Sequence, residues 1–375
     1  MATVTQNPPQ TPIPTGGEAA SAQPTQALLF TEASYRVPRK ETDLQATGLE
    51  FGSTFSGEVQ ANGFLDALYV YITASGGSGS TTAAVAAPKA PFSVIQTIQL
   101  FSPGGTKPLL TLSGYELYLA NLLGGIDAGK ITSLPSYQGV DSNGNFQFRI
   151  KIPVSISKRT ALGALENMNS GSKFELSIVF APASAVYSTA PDPTLPTLSV
   201  TTWSENWVQP PAKNEVTGVP QETAPPLLGL TSYWTSWKSG VLGAGEQEFY
   251  PNRVGQVIRN WILVTEVSGV PTNVLSGVLR FTITNTEYKN IDNTFTPDEM
   301  CEVYDANLPA GVYPIPLTTD FDGHAGFELR EQWVPTTTAT KLQFAGNFTQ
   351  ECQVTVITND IAVPAGDDYL TPIRF

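Results

Sequence analysis

The chain has few of the residues on which catalytic and metal sites depend. Of its 375 residues, two are cysteine, three are methionine and one is histidine, and charged residues make up only 14%. Two cysteines, Cys301 and Cys352, are too few for a disulfide scaffold, and we expect both thiols to be reduced. A metal cluster of the cupin type needs several histidines, so His324 is predicted to be a turn residue.

Long apolar runs and basic clusters are also scarce. No run approaches the ~18 apolar residues of a membrane span, and the N-terminus has neither the basic start nor the apolar segment of a secretory signal. We therefore expect the chain to be cytosolic when it is made. Acidic residues outnumber basic ones by 33 to 20, for a net charge of -13. Because nucleic-acid binding needs clustered Lys and Arg, no direct nucleic-acid partner is predicted.

Two apparent ligand loops do not meet the requirements of their sites. The run Gly124–Ile131 has phosphate-loop spacing up to its last position, where an isoleucine replaces the Ser or Thr that would hold Mg²⁺, and it follows a helix instead of a strand. The run Asp141–Asn145 resembles the start of a calcium loop, but Phe146 occupies the position of the required glycine. Its Asn143-Gly144 pair predicts a hairpin turn.

The remaining candidates for chemistry are weaker. No G-x-S-x-G, H-E-x-x-H or C-x-x-C motif occurs. Asp367 and Asp368 form a carboxylate pair in a predicted exposed loop, and Asn347–Thr349 is a glycosylation sequon by pattern only. We therefore predict no catalytic residue, no cofactor and no metal, and the chain is not expected to be an enzyme.

The residues that are abundant predict many short strands joined by turns. The chain has 32 glycines and 30 prolines, and Phe146–Val154 is apolar at every second position, as in a strand with one buried face. Gly63–Ala74 and Gln256–Val267 are apolar on both faces, so each is expected inside a sandwich or against a partner. Strands at this spacing without a βαβ rhythm indicate antiparallel sandwiches.

The same order of elements occurs twice. Capping boxes at Ser113–Glu116 and Thr296–Glu299 predict one helix in each half, with strands before and after it. We interpret this as a structural duplication and predict an all-β fold of two tandem eight-stranded jelly rolls, each with an inserted short helix. A further short helix is predicted near Thr160–Glu166.

Proline-rich segments set the predicted domain boundaries. The arm at the N-terminus is either a disordered tail or a strap that orders against a neighbouring subunit. The basic cluster Tyr35–Lys40 is either a solvated turn or a contact for lipid head groups or another chain. The predicted units are an N-terminal arm at 1–25, a first jelly roll at 26–208, a linker at 209–229, a second jelly roll at 230–363 and a C-terminal tail at 364–375.

Several segments are similar to segments of one known family. They are Gly63–Ser75, Ser113–Gly125, Phe148–Met168, Lys173–Ala185 and Asn307–Phe321. Over residues 27–363, the two sandwiches, each with a helix after its fourth strand, resemble the double jelly-roll major capsid proteins of tailless icosahedral viruses, of the type found in tectivirus bacteriophages and the adenovirus hexon.

The resemblance implies a structural protein of the virion capsid. Three chains with two barrels each would present six similar walls, so a homotrimer could occupy a hexagonal lattice position beside neighbouring capsomers. Penton and minor capsid proteins are further implied partners, and an internal membrane can lie beneath such shells. Family members often have an N-terminal helix below the capsomer, whereas residues 1–25 are too rich in proline for one.

A binding protein is the alternative to a capsid protein. A two-sandwich carbohydrate-binding adhesin, or a virion spike, would use the tryptophans on both sides of the linker as a sugar platform. The other interpretation of these rings is packing between the domains. The tryptophans concerned are Trp203, Trp207, Trp234 and Trp237.

We predict that residues 1–25 and the tail 369–375 become ordered only against neighbouring subunits, because both ends of the chain are of low complexity. Limited proteolysis of free trimers and of assembled shells should then cleave both segments faster in the free trimers. Equal cleavage rates in the two samples would contradict the prediction.

Overall fold

Strands, most of them antiparallel, are the main secondary-structure elements of the protein. Apolar and polar residues alternate along them, and in one strand Phe148, Ile150 and Ile152 all point into the same core. The computed structural model describes residues 26–104, 107–123, 131–304, 307–317, 330–336, 339, 341–364 and 366–372.

The first half of the chain forms one jelly roll. Its sheets have the strand orders β1-β13-β3-β8 and β2-β10-β6-β7, and their inner faces share one apolar core. The remaining short strands pair as β9 with β3, β4 with β12 and β5 with β11. The strands are β1 (Arg36–Leu49), β2 (Thr54–Glu58), β3 (Phe64–Ser75), β4 (Ser78–Thr82), β5 (Val85–Ala86), β6 (Ile95–Phe101), β7 (Pro108–Leu112), β8 (Phe146–Pro153), β9 (Leu165–Glu166), β10 (Glu175–Phe180), β11 (Tyr187–Thr189), β12 (Asp192–Thr194) and β13 (Thr197–Trp207).

The second half repeats this arrangement around its own core. Its sheets have the orders β14-β23-β16-β20 and β15-β22-β18-β19, and the short β17 and β21 pair with β16. The strands are β14 (Thr231–Leu242), β15 (Gly245–Phe249), β16 (Val257–Val267), β17 (Val270–Pro271), β18 (Leu279–Ile283), β19 (Thr286–Ile291), β20 (Val312–Pro316), β21 (Val334–Pro335), β22 (Leu342–Phe348) and β23 (Cys352–Ala362).

The two halves correspond strand by strand. The sheet β14-β23-β16-β20 matches β1-β13-β3-β8, and β15-β22-β18-β19 matches β2-β10-β6-β7. The predicted pair of eight-stranded jelly rolls is therefore confirmed. An inserted helix also occurs in each half, but it follows the fifth of the eight strands and not the fourth. The helices are α1 (Phe30–Ala33), α2 (Gly114–Leu123) and α3 (Phe295–Tyr304), and the 3₁₀ turns are Phe92–Val94, Ile131–Ser133, Ala183–Ala185 and Arg330–Gln332.

Strands β7 and β14 join the two rolls. They run parallel, with Leu110 opposite Trp234 and Thr111 opposite Thr235. One sheet of the first roll and one sheet of the second therefore continue as a single ten-stranded sheet. The linker between β13 and β14 contributes no strand to that sheet, and the domain boundaries within it stay a prediction.

The capping box of α2 is confirmed. The Ser113 N–H donates to Glu116 Oε2 at 2.8 Å, and the Glu116 N–H donates to Ser113 Oγ at 3.3 Å. Each residue thus satisfies an amide that the helix itself leaves without a partner.

The capping box predicted for α3 is wrong. The helix begins at Phe295, and the N–H groups of Thr294 and Phe295 donate to Asp292 Oδ1 at 2.7 and 2.5 Å. Glu299 does not return to a cap, because both of its oxygens bind Lys289 Nζ. An aspartate earlier in the chain has taken the capping role.

Two further local predictions are wrong. Thr160–Glu166 forms turns and the short strand β9 instead of a helix, because Ala161 and Gly163 have left-handed φ values of 58° and 81°. The basic cluster Tyr35–Lys40 is not a turn: from Arg36 onward it is the start of β1, paired with β13.

The prediction that the C-terminal tail becomes ordered only against neighbouring subunits is wrong for Tyr369. The Tyr369 ring stacks on Trp333 with 5.5 Å between ring centroids, and the Arg330 guanidinium donates a hydrogen bond to the Tyr369 carbonyl. Tyr369 is thus held by its own chain. Residues 1–25 and 373–375 lie outside the described residues.

Two substitutions on β8 should have different effects on stability, because one is on the buried face of the strand and the other on its outer face. Ile150→Ala removes a fully buried side chain and is expected to lower the free energy of unfolding by about 2–5 kcal/mol. Gln147→Ala, on the outer face of the same strand, should change it by less than about 0.5 kcal/mol. Urea unfolding of both variants checks this, and equal losses would contradict the assigned faces.

Candidate functional surfaces

The loops that resemble ligand sites provide no such site among the described residues. The Asp141 carboxylate is occupied by its own turn, where Oδ1 accepts hydrogen bonds from the N–H groups of Asn143 and Asn145, both at 2.8 Å. Gly144 has a φ of 80°, in agreement with the predicted turn. His324 and residues 124–130 of the phosphate-loop-like run lie outside the described residues.

The titratable side chains within the described ranges do not assemble into a metal-binding group of three or more. The two cysteines are free, Cys301 on the surface and Cys352 buried. Burial raises the pKa of the Cys352 thiol, which keeps it protonated and unreactive. The prediction of no catalytic residue stays a prediction.

The four tryptophans near the linker do not form one groove. Trp234 lies in the main core, and Trp237 stacks on Phe249 with 6.1 Å between ring centroids. Trp207 packs in a small separate cluster, and only Trp203 is on the surface, with 37% exposure. A sugar platform needs several rings open to solvent side by side, so the adhesin alternative is not favoured.

The outer face of the sheet β1-β13-β3-β8 is aromatic and basic. The strand register places Lys40, Trp203, Tyr69 and Lys151 in one row across the four strands. The Arg149 guanidinium lies over the Tyr69 ring, 5.0 Å from its centroid. Rows of this kind hold cations against ring faces.

A hydrogen-bonded network fixes the aromatic part of this face. The Tyr69 hydroxyl donates to Glu205 Oε2 at 2.9 Å, and Arg36 Nη1 donates to Glu205 Oε1 at 3.2 Å. Burial and the Glu205 carboxylate raise the pKa of Tyr69. Just inside the face, Trp207 Nε1 donates to Asp66 Oδ1 at 3.2 Å, and burial raises the pKa of that carboxyl group.

The equivalent outer face of the second roll is covered by the first roll. Ile262, Val264 and Ile357 from the sheet β14-β23-β16-β20 belong to the core of the first roll, and α2 packs beside β16. An ion pair joins the halves at this seam, with 2.7 Å between Lys89 Nζ and Glu266 Oε1. This face is an internal interface of the chain.

A small polar cavity of about 180 Å³ lies at the seam between the rolls. It is lined by Lys107 from the first roll and by Tyr233, Arg253 and Asp360 from the second. The Lys107 ammonium is 4.1 Å from the Tyr233 ring centroid, and Arg253 Nη2 is 2.7 Å from Asp360 Oδ2. Burial raises the pKa of Asp360 to about 6, although Arg253 and Lys107 oppose this shift.

Sequence reasoning missed the residues of this face and this cavity. Alternation along β3 and along β8 places Tyr69 and Arg149 each on the outer face of its own strand. Only the pairing register between the two strands shows that these side chains are neighbours. Asp66 and Asp360 lie within apolar strands, and an acidic residue at such a position is the one sequence signal that could have marked them.

Comparison with known proteins identifies the fold. The chain aligns with the MCP of STIV at 16% identity and a TM-score of 0.64, over 90% of this chain and 100% of that one. It aligns with a chain of Sulfolobus Turreted Icosahedral Virus at 15% identity and a TM-score of 0.62, over 88% and 92%. The match with the major capsid protein of bacteriophage PM2 has 15% identity and a TM-score of 0.54, over 89% and 100%.

Both rolls take part in these alignments, so the chain has the double jelly-roll fold of viral major capsid proteins. No family model matches the sequence, and no curated protein matches it either. Within the described ranges, no helix has the length and hydropathy to span a bilayer.

The buried Asp360 should make folding stability depend on pH. Its pKa is about 6 in the folded chain and near 3.8 when unfolded, so the folded state holds the proton more tightly and stability falls as pH rises from about 4 to about 6. Asp360→Asn should therefore gain up to about 3 kcal/mol over the wild type between pH 4 and pH 7.

Urea midpoints at several pH values measure this difference. Asp43→Asn, at an exposed position on β1, serves as the matched control for the substitution itself. A constant difference between Asp360→Asn and the wild type across the pH range would refute the assignment.

Proposed function

We propose that this chain is a major capsid protein that forms the shell of an icosahedral virus as a homotrimeric capsomer. The observation that carries the proposal is the repetition of one jelly roll, with the same strand order and the same helix insertion, in a single chain. The alignment of both rolls with capsid proteins supports it.

The repetition suits a hexagonal lattice. Three chains provide six rolls, so a threefold particle has walls at six positions around its axis and can contact six neighbours. Because the two rolls differ in sequence, alternate walls can differ in the partner they bind. Contacts between capsomers can each be weak, since many act together in a closed shell.

The proposed partners follow from this role. They are further copies of the chain and neighbouring capsomers, with penton and minor capsid proteins at special positions, and an internal membrane beneath the shell is compatible with it. The net charge of -13 opposes direct contact with nucleic acid. The proposed location is the virion capsid after synthesis in the host cytoplasm.

Native mass spectrometry of the purified chain tests the proposal. We expect a particle of three times 40.1 kDa that persists on dilution, because obligate interfaces typically bury more than ~2,000 Å². Electron microscopy of concentrated samples should show hexagonal arrays or closed shells. A strict monomer that binds immobilised glycans would instead support the adhesin alternative.

A further inference from the structure

Each strand of the junction between the two rolls has an equivalent strand in the other roll, and these two equivalent strands do not take part in a junction within the chain. Within the chain, β7 of the first roll pairs in parallel with β14 of the second. The strands that correspond to them are β19 in the second roll and β1 in the first. Within the described residues, β19 pairs only with β18, and β1 pairs only with β13. Each is therefore a sheet edge that could accept another strand.

The helices show the same asymmetry. Helix α2 is enclosed at the seam between the rolls, and no residue along its length is exposed. Helix α3 occupies the equivalent place in the second roll, yet Phe295, Asp298, Cys301 and Glu302 are all exposed. Their spacing of three or four residues places them along one side of the helix. Phe295 has 61% of its surface exposed, which is unusual for a ring of this size.

The sheet faces complete the correspondence. The outer face of β14-β23-β16-β20 is covered by the first roll, with α2 beside β16, as described above. The outer face of β1-β13-β3-β8 is its equivalent in the first roll, and there Trp203 is exposed and Tyr69 is only half-buried. One chain thus has one helix, α3, without a sheet face, and one sheet face on which only the short α1 packs, at the end near Trp207.

The charges of the two unused surfaces are complementary. The exposed side of α3 has Asp298 and Glu302, whereas the sheet face has Lys40 and Arg149 in adjacent rows. At the internal junction the contact between helix and strand has the same polarity, because the Glu116 carboxylate in the first turn of α2 lies 3.8 Å from Lys238 Nζ on β14, whereas the Lys89–Glu266 pair at the same seam places the acid on β16. An acidic helix meets a basic strand in both cases.

We propose that α3 of one chain packs on the outer face of the β1-β13-β3-β8 sheet of a second copy, with β19 beside β1, so that the junction within each chain is repeated between chains. The inference rests on the proposed homotrimer and adds the surfaces that form it. Such a contact is heterologous, with different patches on the two partners, and it forms a closed ring when the rotation per chain is one third of a turn.

Cysteine cross-linking provides the test, because Cys301 already lies on the exposed side of α3. Single substitutions Thr73→Cys, Thr201→Cys and Gln147→Cys place a second thiol on the proposed sheet face. Mild oxidation, or a short bis-maleimide linker, should give covalent dimers and trimers but nothing larger. Cys301→Ser added to each variant should abolish the products.

Matched controls place the second thiol on a different face. Ser56→Cys and Ser177→Cys lie on the outer face of β2-β10-β6-β7 and should not cross-link within the trimer. If the native mass is three chains but only the control positions react with Cys301, the proposed surfaces are wrong and the homotrimer stands. If the chain is monomeric at every concentration, the proposed function itself fails.

A charge exchange gives an independent measurement. Arg149→Glu should raise the dissociation constant of the trimer about tenfold or more, since like charges would then face each other. Adding Glu302→Arg to the same chain should bring the dissociation constant back to within about threefold of the wild-type value. A second substitution could not have this effect if Arg149→Glu acted through a general loss of folding. Arg280→Glu, on the outer face of β15-β22-β18-β19, is the control and should leave the dissociation constant of the trimer unchanged. Failure of the second substitution to restore the trimer would overturn the proposed pairing.

Discussion

A strand with apolar side chains on both faces has to be covered on both sides, and β16 is such a strand. Trp261 and Leu263 point into the core of the second roll, whereas Ile262 and Val264 point into the core of the first. A single sandwich covers only one of these faces. The second roll is therefore stable in water only with another unit beside it, and the parallel pairing of β7 with β14 holds that unit in place.

Each roll also buries a carboxyl group beside a tryptophan. Asp66 on β3 accepts a hydrogen bond from Trp207 on β13, and Asp360 on β23 lies next to Trp261 on β16. Strand β3 corresponds to β16 and β13 to β23, so the same pair of neighbouring strands holds the carboxyl group and the tryptophan in both rolls, but with the two strands exchanged. Burial raises the pKa of both carboxyl groups, so each costs stability when ionised.

Much of the local structure followed from the sequence where one signal dominated. The alternation at Phe146–Pro153 predicted a strand with one buried face, and Ser113 with Glu116 predicted a cap. The prediction failed where two local signals competed. At α3, Asp292 and Thr296 could each cap a helix, and it is Asp292 that accepts the N–H groups of Thr294 and Phe295. At 160–166, left-handed φ angles at Ala161 and Gly163 prevented the expected helix.

The sequence alone determined the class of the fold, because strand alternation, turn residues and the repeated order of elements are local properties of the chain. It also indicated that Gly63–Ala74 and Gln256–Val267 need cover on two sides. Only the tertiary structure decided what provides that cover, since it depends on which strands become neighbours and in which register. The row of Lys40, Trp203, Tyr69 and Lys151 comes from strands far apart in the chain, and the contact between the rolls does as well.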